Sequence, residues 1–424
     1  MGGMKDSGVE WIGEIPQEWG GCIPLRFCDE QDSKTSQFVL GKPYIALENV
    51  TSWTGQVLLE EETAQADSTV ATYSSNDVLF GKLRPYLAKV VRPGSAGQCS
   101  TELLPIQPRK HTRDYLFWLL INKGFIDTID SMTYGVKMPR TSWNQIGSIA
   151  VPVPPKAEQQ AIAAFLDKEC AAIDAAAETL ETQISTLERY RASVIHEAVT
   201  RGLDPAAPTK PSGIEWFDHI PETWQVTRVT NVAERHSGHT PNKETPQYWE
   251  DGHIVWVSLA DSPKLRAQKY ISSSVTMTTQ AGINHSSAEV LPGGTVLLSR
   301  DASVGLSAIA GCKLAVSQHF MGYVCGPKLN NEYLFYCFKD MQQVFAKLSM
   351  GSTIPTIGLP LIKRLQIPLP PLDEQIRIVA FLNRKLASID SIIATKREQL
   401  DVLRRRRQSL IYEYVTGKRR VGEV

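Results

Sequence analysis

Long apolar runs are absent from the sequence: none of its 424 residues lies in a stretch approaching the ~20 residues of a membrane-spanning helix. The start of the chain also lacks the basic-then-apolar pattern of a signal peptide. The seven cysteines are scattered without a Cys-x-x-Cys pair, which argues against a disulfide framework or a zinc knuckle and favours reduced, mostly buried thiols. We therefore expect a folded cytoplasmic protein of two to four domains, with no membrane partner.

An excess of charge of either sign is also missing. Lys and Arg number 45 and Asp and Glu number 45, so the formal net charge is zero. Proteins that bind the phosphate backbone of nucleic acids usually present a basic surface. The total therefore argues against nucleic-acid binding unless it conceals faces of opposite charge.

Motifs of nucleotide-dependent enzymes are absent as well. The sequence has no Gly-x-x-x-x-Gly-Lys-[Ser/Thr] loop, no Gly-x-Gly-x-x-Gly, and no Asn-Pro-Pro-aromatic or Asp-Pro-Pro-aromatic tetrapeptide of amino-methyltransferases. His236, His239 and His253 lack a cysteine or carboxylate at a recognisable metal-binding spacing, so surface histidines are favoured over a metal site. We expect no catalytic residue and no metal ligand in this chain.

What the sequence does contain is an internal repeat. Val151–Pro155 matches Ile367–Pro371 at an offset of 216, and the match continues without a gap through Thr200. At the start of each half, Ser7–Trp11 recurs as Ser212–Trp216 at an offset of 205. These matches predict a tandem duplication, in which each copy is a variable globular part followed by a well-matched tail.

The repeat predicts the domain organisation, and short β-branched and aromatic runs followed by one amphipathic helix predict α+β globular parts. Three prolines, at positions 205, 208 and 211, predict a linker between the copies. The predicted parts are a first globular domain (1–151), a central helical region (152–204), the linker (205–213), a second globular domain (214–367) and a distal helical region (368–424). Predicted strands lie at 44–47, 77–80, 87–91, 254–259, 294–298 and 320–324, and predicted helices at 115–122 and 333–345.

The two matched tails are predicted to be long helices, because they carry good helix formers with apolar residues at heptad spacing. Residues 156–201 hold 5 basic and 8 acidic side chains, a net of −3, whereas residues 372–417 hold 9 basic and 6 acidic, a net of +3. This complementarity predicts an intramolecular antiparallel coiled coil with pseudo-twofold symmetry. Its predicted seam consists of Leu166, Ile173, Leu180, Ile184, Leu187, Val194, Leu382, Leu386, Ile389, Ile393, Leu400, Leu403 and Leu410.

The function of such a rod stays open between two alternatives. At ~1.5 Å per residue, about 45 residues span on the order of 65 Å, which is close to two turns of B-DNA at roughly 34 Å each. The rod either only stiffens the protein or acts as a ruler that separates two divergent domains.

The arginine run Arg404–Arg407 also has two interpretations: it either balances the acidic partner helix or contacts phosphates. An Arg occupies the same heptad position in both tails, as Arg191 and Arg407.

Basic and aromatic residues interleave within the globular parts, as is typical of surfaces that contact phosphates and base edges. For any single one of these residues, an ordinary solvated surface is the alternative. The tryptophans at matched positions, Trp11, Trp19, Trp216 and Trp224, are interpreted as core anchors and not as base-stacking platforms. The candidate DNA-binding residues are Lys82, Arg84, Tyr86, Lys89, Lys137, Arg140, Arg300, Lys313 and His319.

Over nearly its full length the chain resembles the specificity subunit of type I restriction-modification systems. The most specific segments of the resemblance are 7–16, 154–167, 198–204, 370–376 and 415–418. The resemblance implies two target recognition domains that each read one half of a bipartite, asymmetric double-stranded DNA target, and two conserved helical regions that form an antiparallel coiled coil. It also implies modification subunits that methylate adenine N6 with S-adenosylmethionine, and restriction subunits that use ATP and Mg²⁺. No base-contacting residue carries over, because the recognition domains of the family vary too widely.

The leading hypothesis is therefore a non-catalytic DNA-specificity subunit whose coiled coil sets the gap between half-sites and docks the methyltransferase subunits. The alternatives are a protein-binding coiled-coil scaffold without DNA selectivity, and a degenerate or standalone nuclease or methyltransferase. The missing motifs count against the last of these.

Overall fold

The computed structural model describes residues 3–31, 34–58, 69–133, 135, 137–214, 216–349 and 355–422. The chain divides into two compact units, one formed by Met1–Gln183 with Lys396–Val424 and the other by Ile184–Thr395. Each unit therefore combines one globular domain with a stretch of each long helix. Within the described ranges, every helix is too short or too polar to cross a membrane.

Two four-stranded sheets form the first globular domain. The strands are β1 (Met4–Asp6), β2 (Glu14–Pro16), β3 (Cys22–Pro24), β4 (Glu30–Gln31), β5 (Thr35–Gln37), β6 (Tyr44–Ile45), β7 (Thr69–Tyr73), β8 (Val78–Gly81), β9 (Val90–Val91), β10 (Gly97–Cys99), β11 (Leu103–Gln107) and β12 (Ala150–Pro152), and the helices are α1 (Arg113–Leu120), α2 (Lys123–Ser131) and α3 (Trp143–Ile146), before the long α4 (Lys156–Arg201). The sheet orders are β5-β7-β10-β6 and β4-β11-β8-β9, with the two-stranded sheets β1-β2 and β12-β3. Strand β10 runs parallel to β6 and antiparallel to β7.

The second globular domain contains a five-stranded and a three-stranded sheet. Its strands are β13 (Thr209–Ile214), β14 (Phe217–Pro221), β15 (Gln225–Arg228), β16 (Ala233–Ser237), β17 (Ile254–Val257), β18 (Tyr270–Ile271), β19 (Met277–Thr278), β20 (Val296–Ser299), β21 (Ser307–Ala310), β22 (Leu314–Val316), β23 (Phe320–Cys325) and β24 (Gln366–Leu369), and its helices are α5 (Ser262–Ala267), α6 (Gln280–Asn284), α7 (Asn331–Asp340), α8 (Gln342–Leu348) and α9 (Leu359–Ile362), before the long α10 (Leu372–Val415). The sheet orders are β16-β23-β20-β21-β18 and β19-β17-β22, with the pairs β13-β14 and β15-β24.

Two details differ from the sequence prediction. The single helix expected at 333–345 is two helices, α7 and α8, because Met341 has a ψ of 0° that leaves the helical conformation. The end of the predicted linker belongs to strand β13, which pairs with β14 and tolerates Pro211 because it lies in a two-stranded edge. The predicted domain boundaries themselves stay predictions.

The core of the first unit joins the globular domain to the long helices. From Tyr115 to Leu120, helix α1 is apolar on all sides and buried, as expected of a helix segment enclosed by its surroundings. The same buried cluster includes Leu166 of α4 and Tyr414 of α10. The Tyr115 hydroxyl donates to the Val415 carbonyl at 2.8 Å, which fixes α1 to the end of α10.

The Glu-Gln pair that begins each matched tail connects each long helix to its own globular domain. Gln159 Oε1 accepts from the Thr112 N–H at 2.6 Å, and Gln375 Oε1 accepts from the Asn330 N–H at 2.8 Å. The preceding glutamates accept from buried indoles: Trp19 Nε1 lies 2.9 Å from Glu158 and Trp224 Nε1 lies 3.1 Å from Glu374. Trp19 is 1% exposed and Trp224 is fully buried, so the prediction of core anchors is confirmed for these two, whereas Trp11 and Trp216 are half-buried.

In the first unit, ion pairs show that α4 and α10 run antiparallel. Arg407 Nε lies 2.8 Å from Asp174 and Arg404 lies 3.0 Å from Glu181, so rising positions on one helix meet falling positions on the other. Two members of the arginine run therefore balance the acidic helix, as one of the two sequence interpretations expected.

The second unit has the same helix pairing. Arg191 Nε lies 2.8 Å from Asp390, and the Lys385 ammonium lies 5.4 Å from the centre of the Tyr190 ring. Arg191 and Arg407 are separated by the repeat offset, as are their partners Asp174 and Asp390. All thirteen predicted seam residues are buried or half-buried. The predicted α+β class and the antiparallel pairing of the two long helices are confirmed.

Candidate nucleic-acid interface

In the first domain, Lys82 directly follows strand β8, and its backbone N–H and carbonyl are both hydrogen bonded. The Lys82 N–H donates to the Glu102 carbonyl at 2.8 Å, and the Lys82 carbonyl accepts from the Thr141 N–H at 3.0 Å. Two residues later, the Arg84 N–H donates to the Pro139 carbonyl at 2.7 Å. The loop after β8 is therefore held against the segment 137–141, although these parts are far apart in sequence.

This arrangement brings most of the predicted basic residues of the first domain together. Arg84 adopts the left-handed conformation with φ of 51°, so the chain turns sharply and leaves Arg84 and Tyr86 exposed. Lys137 is exposed on the facing segment, and the Arg140 guanidinium pairs with Glu102 at 2.9 Å. We call Lys82, Arg84, Tyr86, Lys137 and Arg140 the first basic surface. Lys89 is not part of this surface, because its ammonium donates to the Leu47 carbonyl at 2.8 Å.

The second domain repeats the same backbone at an offset of 216 to 218. The Arg300 N–H donates to the His319 carbonyl at 2.9 Å, and the Arg300 carbonyl accepts from the Ile357 N–H at 2.8 Å. The Ala302 N–H donates to the Pro355 carbonyl at 2.9 Å, and Ala302 has a φ of 57°, as Arg84 has in the first copy. Lys82 and Arg300 therefore occupy equivalent positions.

The side chains on this repeated backbone differ. Asp301 Oδ2 lies 3.1 Å from His319 Nδ1, and Asp301 Oδ1 lies 3.6 Å from Arg300 Nε. The structure thus brings Arg300 and His319 together around Asp301, a residue that sequence reasoning missed. The match of Val78 with Val296 signals the equivalence, because extending it by four residues places Lys82 opposite Arg300.

Lys313 is exposed at the amino end of β22, whereas His319 follows the carboxyl end of that strand. The structure therefore does not bring Lys313 together with Arg300 and His319. The DNA-contacting role of all nine candidates stays a prediction.

A family model for the type I restriction modification DNA specificity domain matches two segments of the chain, residues 38–187 and 221–402. The chain belongs to this family. The two segments fall in the two copies of the duplication, so each copy contains a specificity domain.

Relatives of the chain are specificity subunits of type I restriction enzymes. The type I restriction enzyme MjaVIII specificity subunit of Methanocaldococcus jannaschii is 24% identical over 341 residues, which cover 77% of this chain and 76% of that protein. The putative MjaX specificity subunit of the same organism is 23% identical over 97% of this chain and 96% of its own length. The MjaIX specificity subunit is 31% identical over 186 residues, but this match spans only 43% of the chain and 42% of that protein.

Solved structures share the fold. A chain from work on complex assembly and conformational transition of the type I R-M system has a TM-score of 0.74 at 20% identity, covering 96% of this chain and 99% of its own. The HsdS subunit from Thermoanaerobacter tengcongensis has a TM-score of 0.50 at 20% identity, covering 96% and 98%. The predicted fold class, with two similar domains and two long paired helices, is confirmed by these likenesses.

The cysteines of this specificity-family chain are free thiols. Cys28, Cys99 and Cys170 are buried, and burial raises the pKa of each thiol to about 12. At neutral pH these three residues are protonated and do not act as nucleophiles. In the part of the chain that the structure describes, no three His, Cys, Asp or Glu side chains are grouped to hold a metal ion.

Proposed function

We propose that this chain is the DNA sequence-specificity subunit of a type I restriction-modification complex, and that each globular domain reads one half of a bipartite, asymmetric target. The observation that carries the proposal is the repeated backbone with different side chains. Both domains hold a cation after the equivalent strand, Lys82 or Arg300, in the same hydrogen-bonded frame. The neighbouring residues are Arg84 and Arg140 in one copy and Ala302 and Thr356 in the other. A common frame with divergent side chains suits two domains that bind the same polymer but different sequences.

The long helices support the second half of the proposal, that their length sets the gap between half-sites and that they dock methyltransferase subunits. Each unit pairs α4 with α10 through an Arg and the Asp of the other copy. Such polar pairs at heptad positions specify one register of a coiled coil. A single register fixes which residues of the two helices lie opposite each other, as a ruler requires.

The proposal assigns the chemistry to partner subunits. The modification subunits would methylate adenine N6 with S-adenosylmethionine, which requires the base to leave the stack, and the restriction subunits would use ATP and Mg²⁺. This chain would contribute target choice without catalysis or a cofactor of its own, and it would act in the cytoplasm where the DNA lies.

Methylation mapping of a genome with and without this chain tests the proposal. We expect one bipartite, asymmetric motif whose adenine methylation depends on the chain when its methyltransferase partner is present. A complex that methylates without such a motif, or a chain that selects no sequence from a random duplex pool, would favour the protein-binding scaffold.

Substitution of Lys82 or Arg84 by Ala is expected to weaken DNA binding by the complex of this chain with its methyltransferase partner. Each cation that contacts a phosphate adds about one to the slope of log affinity against log salt, so each loss should lower that slope by about one. Titration of binding at several salt concentrations measures both effects.

Lys42→Ala is the matched control for Arg84→Ala, because both side chains are exposed and Lys42 precedes β6, a strand of the other four-stranded sheet. It should leave affinity and slope unchanged. If Arg84→Ala and Lys42→Ala behave alike, the first basic surface is ordinary solvated surface.

A further inference from the structure

A cleft of about 500 Å³ opens in the second domain where two parallel strands end. Strand β17 runs parallel to β22, with Val257 opposite Val316. The carboxyl ends of parallel strands meet at one edge of a sheet, so Ser258 and Ser317 follow side by side and both line the cleft.

The floor of the cleft carries a hydroxyl without a partner. Ser317 is fully buried, and among the described residues its Oγ has no hydrogen-bond partner. Buried polar groups are nearly always hydrogen bonded, because an unpaired one loses its hydration without compensation. An unpaired hydroxyl that lines an open cleft therefore points to a ligand that accepts a hydrogen bond from it.

The wall of the cleft is aromatic, and its polar indole groups are already used. The rings of Trp249 and Trp256 meet edge to face with centroids 5.0 Å apart. Trp249 Nε1 donates to the Asn242 carbonyl at 2.9 Å, and Trp256 Nε1 donates to the His239 carbonyl at 3.2 Å. The indoles thus present carbon surface to an occupant and contribute no hydrogen bond to it.

The mouth of the cleft is rich in donors. The Thr240 hydroxyl donates to Gln318 Oε1, so the hydrogens of the Gln318 side-chain amide nitrogen are not used in this contact. The exposed Lys243 adds a positive charge, and His319, whose Nδ1 lies 3.1 Å from Asp301 Oδ2, also lines the cleft.

We propose that this cleft seats one phosphodiester of the DNA backbone in the second half-site, with the attached deoxyribose against the tryptophans. A convex backbone phosphate fits a concave site, and hydroxyl, amide and ammonium donors are the groups that proteins use for phosphate oxygens. The cleft therefore anchors the second domain in register and reads no base. The inference rests on the proposed function, because it names the part of the DNA that this domain holds.

A methylphosphonate scan of the second half-site tests the assignment, using the assembled complex with its methyltransferase partner on the motif found by methylation mapping. Replacing the seated phosphate removes its charge and should weaken binding about tenfold, the usual effect of losing a hydrogen bond to a charged group. The same substitution should cost little in complexes with Lys243→Ala or Ser317→Ala, because the contact is already lost.

The second domain offers a matched control for Ser317→Ala. Ser307 on β21 is likewise buried at 1% exposure with an unpartnered Oγ among the described residues, but it lies outside the cleft lining. Both alanine variants should keep or raise the melting temperature, and only Ser317→Ala should weaken DNA binding, with the methylated motif unchanged.

Two results would overturn the inference while leaving the proposed function intact. In the first, mapping finds a bipartite motif, but at no phosphate position does the loss of affinity on methylphosphonate substitution depend on Lys243 or Ser317. The other is a changed base in the motif of the Ser317→Ala or Lys243→Ala complex, which would make the cleft a base-reading site. Absence of any bipartite motif would instead contradict the proposed function itself.

Discussion

Removal of one heptad from each long helix is expected to shorten the gap in the methylated target by about three base pairs and to leave both half-sites unchanged. Seven residues at ~1.5 Å each span about 10 Å of helix, and a B-DNA turn of roughly 34 Å contains about ten base pairs. Methylation mapping with the altered chain measures the gap directly.

The segments to remove are 184–190 and 391–397. They are flanked by Arg191 with Asp390 on one side and Arg404 with Glu181 on the other, so both ion pairs and the heptad frame persist after deletion. Replacing the exposed Ser185 and Ser391 by Ala within the same segments keeps the length and should leave the gap unchanged. A deletion variant that methylates with the original gap would show that the helices stiffen the protein without measuring distance.

Arg407→Ala is expected to destabilise the chain by about 2 kcal/mol, whereas the repeat-equivalent Arg191→Ala should cost about 0.5 kcal/mol. The side chain of Arg407 is 8% exposed and its partner Asp174 is 26% exposed, so removal of the cation leaves a largely buried carboxylate. The corresponding values for Arg191 and Asp390 are 40% and 52%, where water replaces the lost partner.

The two variants form a matched pair, because the residue type, the heptad position and the partner type are the same. Thermal unfolding of the full chain should show a melting temperature lowered by roughly 5 °C for Arg407→Ala and by about 1 °C for Arg191→Ala. The guanidinium of Arg407 also lies 5.6 Å from the centre of the Trp118 ring, and Arg407→Lys retains the charge without the planar stacking group. Equal shifts for the two alanine variants would mean that burial does not control the strength of these pairs.

These two ion pairs also show what the internal repeat predicts about contacts and what it does not. Sequence comparison places Arg191 opposite Arg407 and Asp174 opposite Asp390, and it predicts an Arg at the same heptad position of both tails. It does not predict that each Arg meets the Asp of the other copy, because that contact depends on the register of the two helices.

Contacts between the two long helices also explain part of the zero net charge. The −3 of one helix and the +3 of the other account for part of the cancellation, and the Arg404 to Glu181 and Arg407 to Asp174 contacts place some of these charges against each other. Neutrality therefore does not argue against DNA binding. It reflects charges that neutralise each other within the helix pair, while the first basic surface stays exposed in part.

The candidate interface was predicted only as scattered residues. Lys82, Arg84 and Arg140 share a surface because β8 ends beside Glu102 and because segment 137–141 folds back against the following loop. The cleft in the second domain was not predicted at all, since β17 and β22 are short strands with nearly sixty residues between them. Local patterns carry no information about which short strands become neighbours.

The sequence by itself determined the duplication, the two long helices and their charge complementarity, because identity at a fixed offset and heptad periodicity are properties of nearby or aligned residues. Only the tertiary structure decided which side chains meet: Arg300 with His319 through Asp301, Lys89 with the Leu47 carbonyl, and Ser317 at the floor of an open cleft. Those contacts depend on strand register and loop closure between distant segments, which the packing of the whole domain selects.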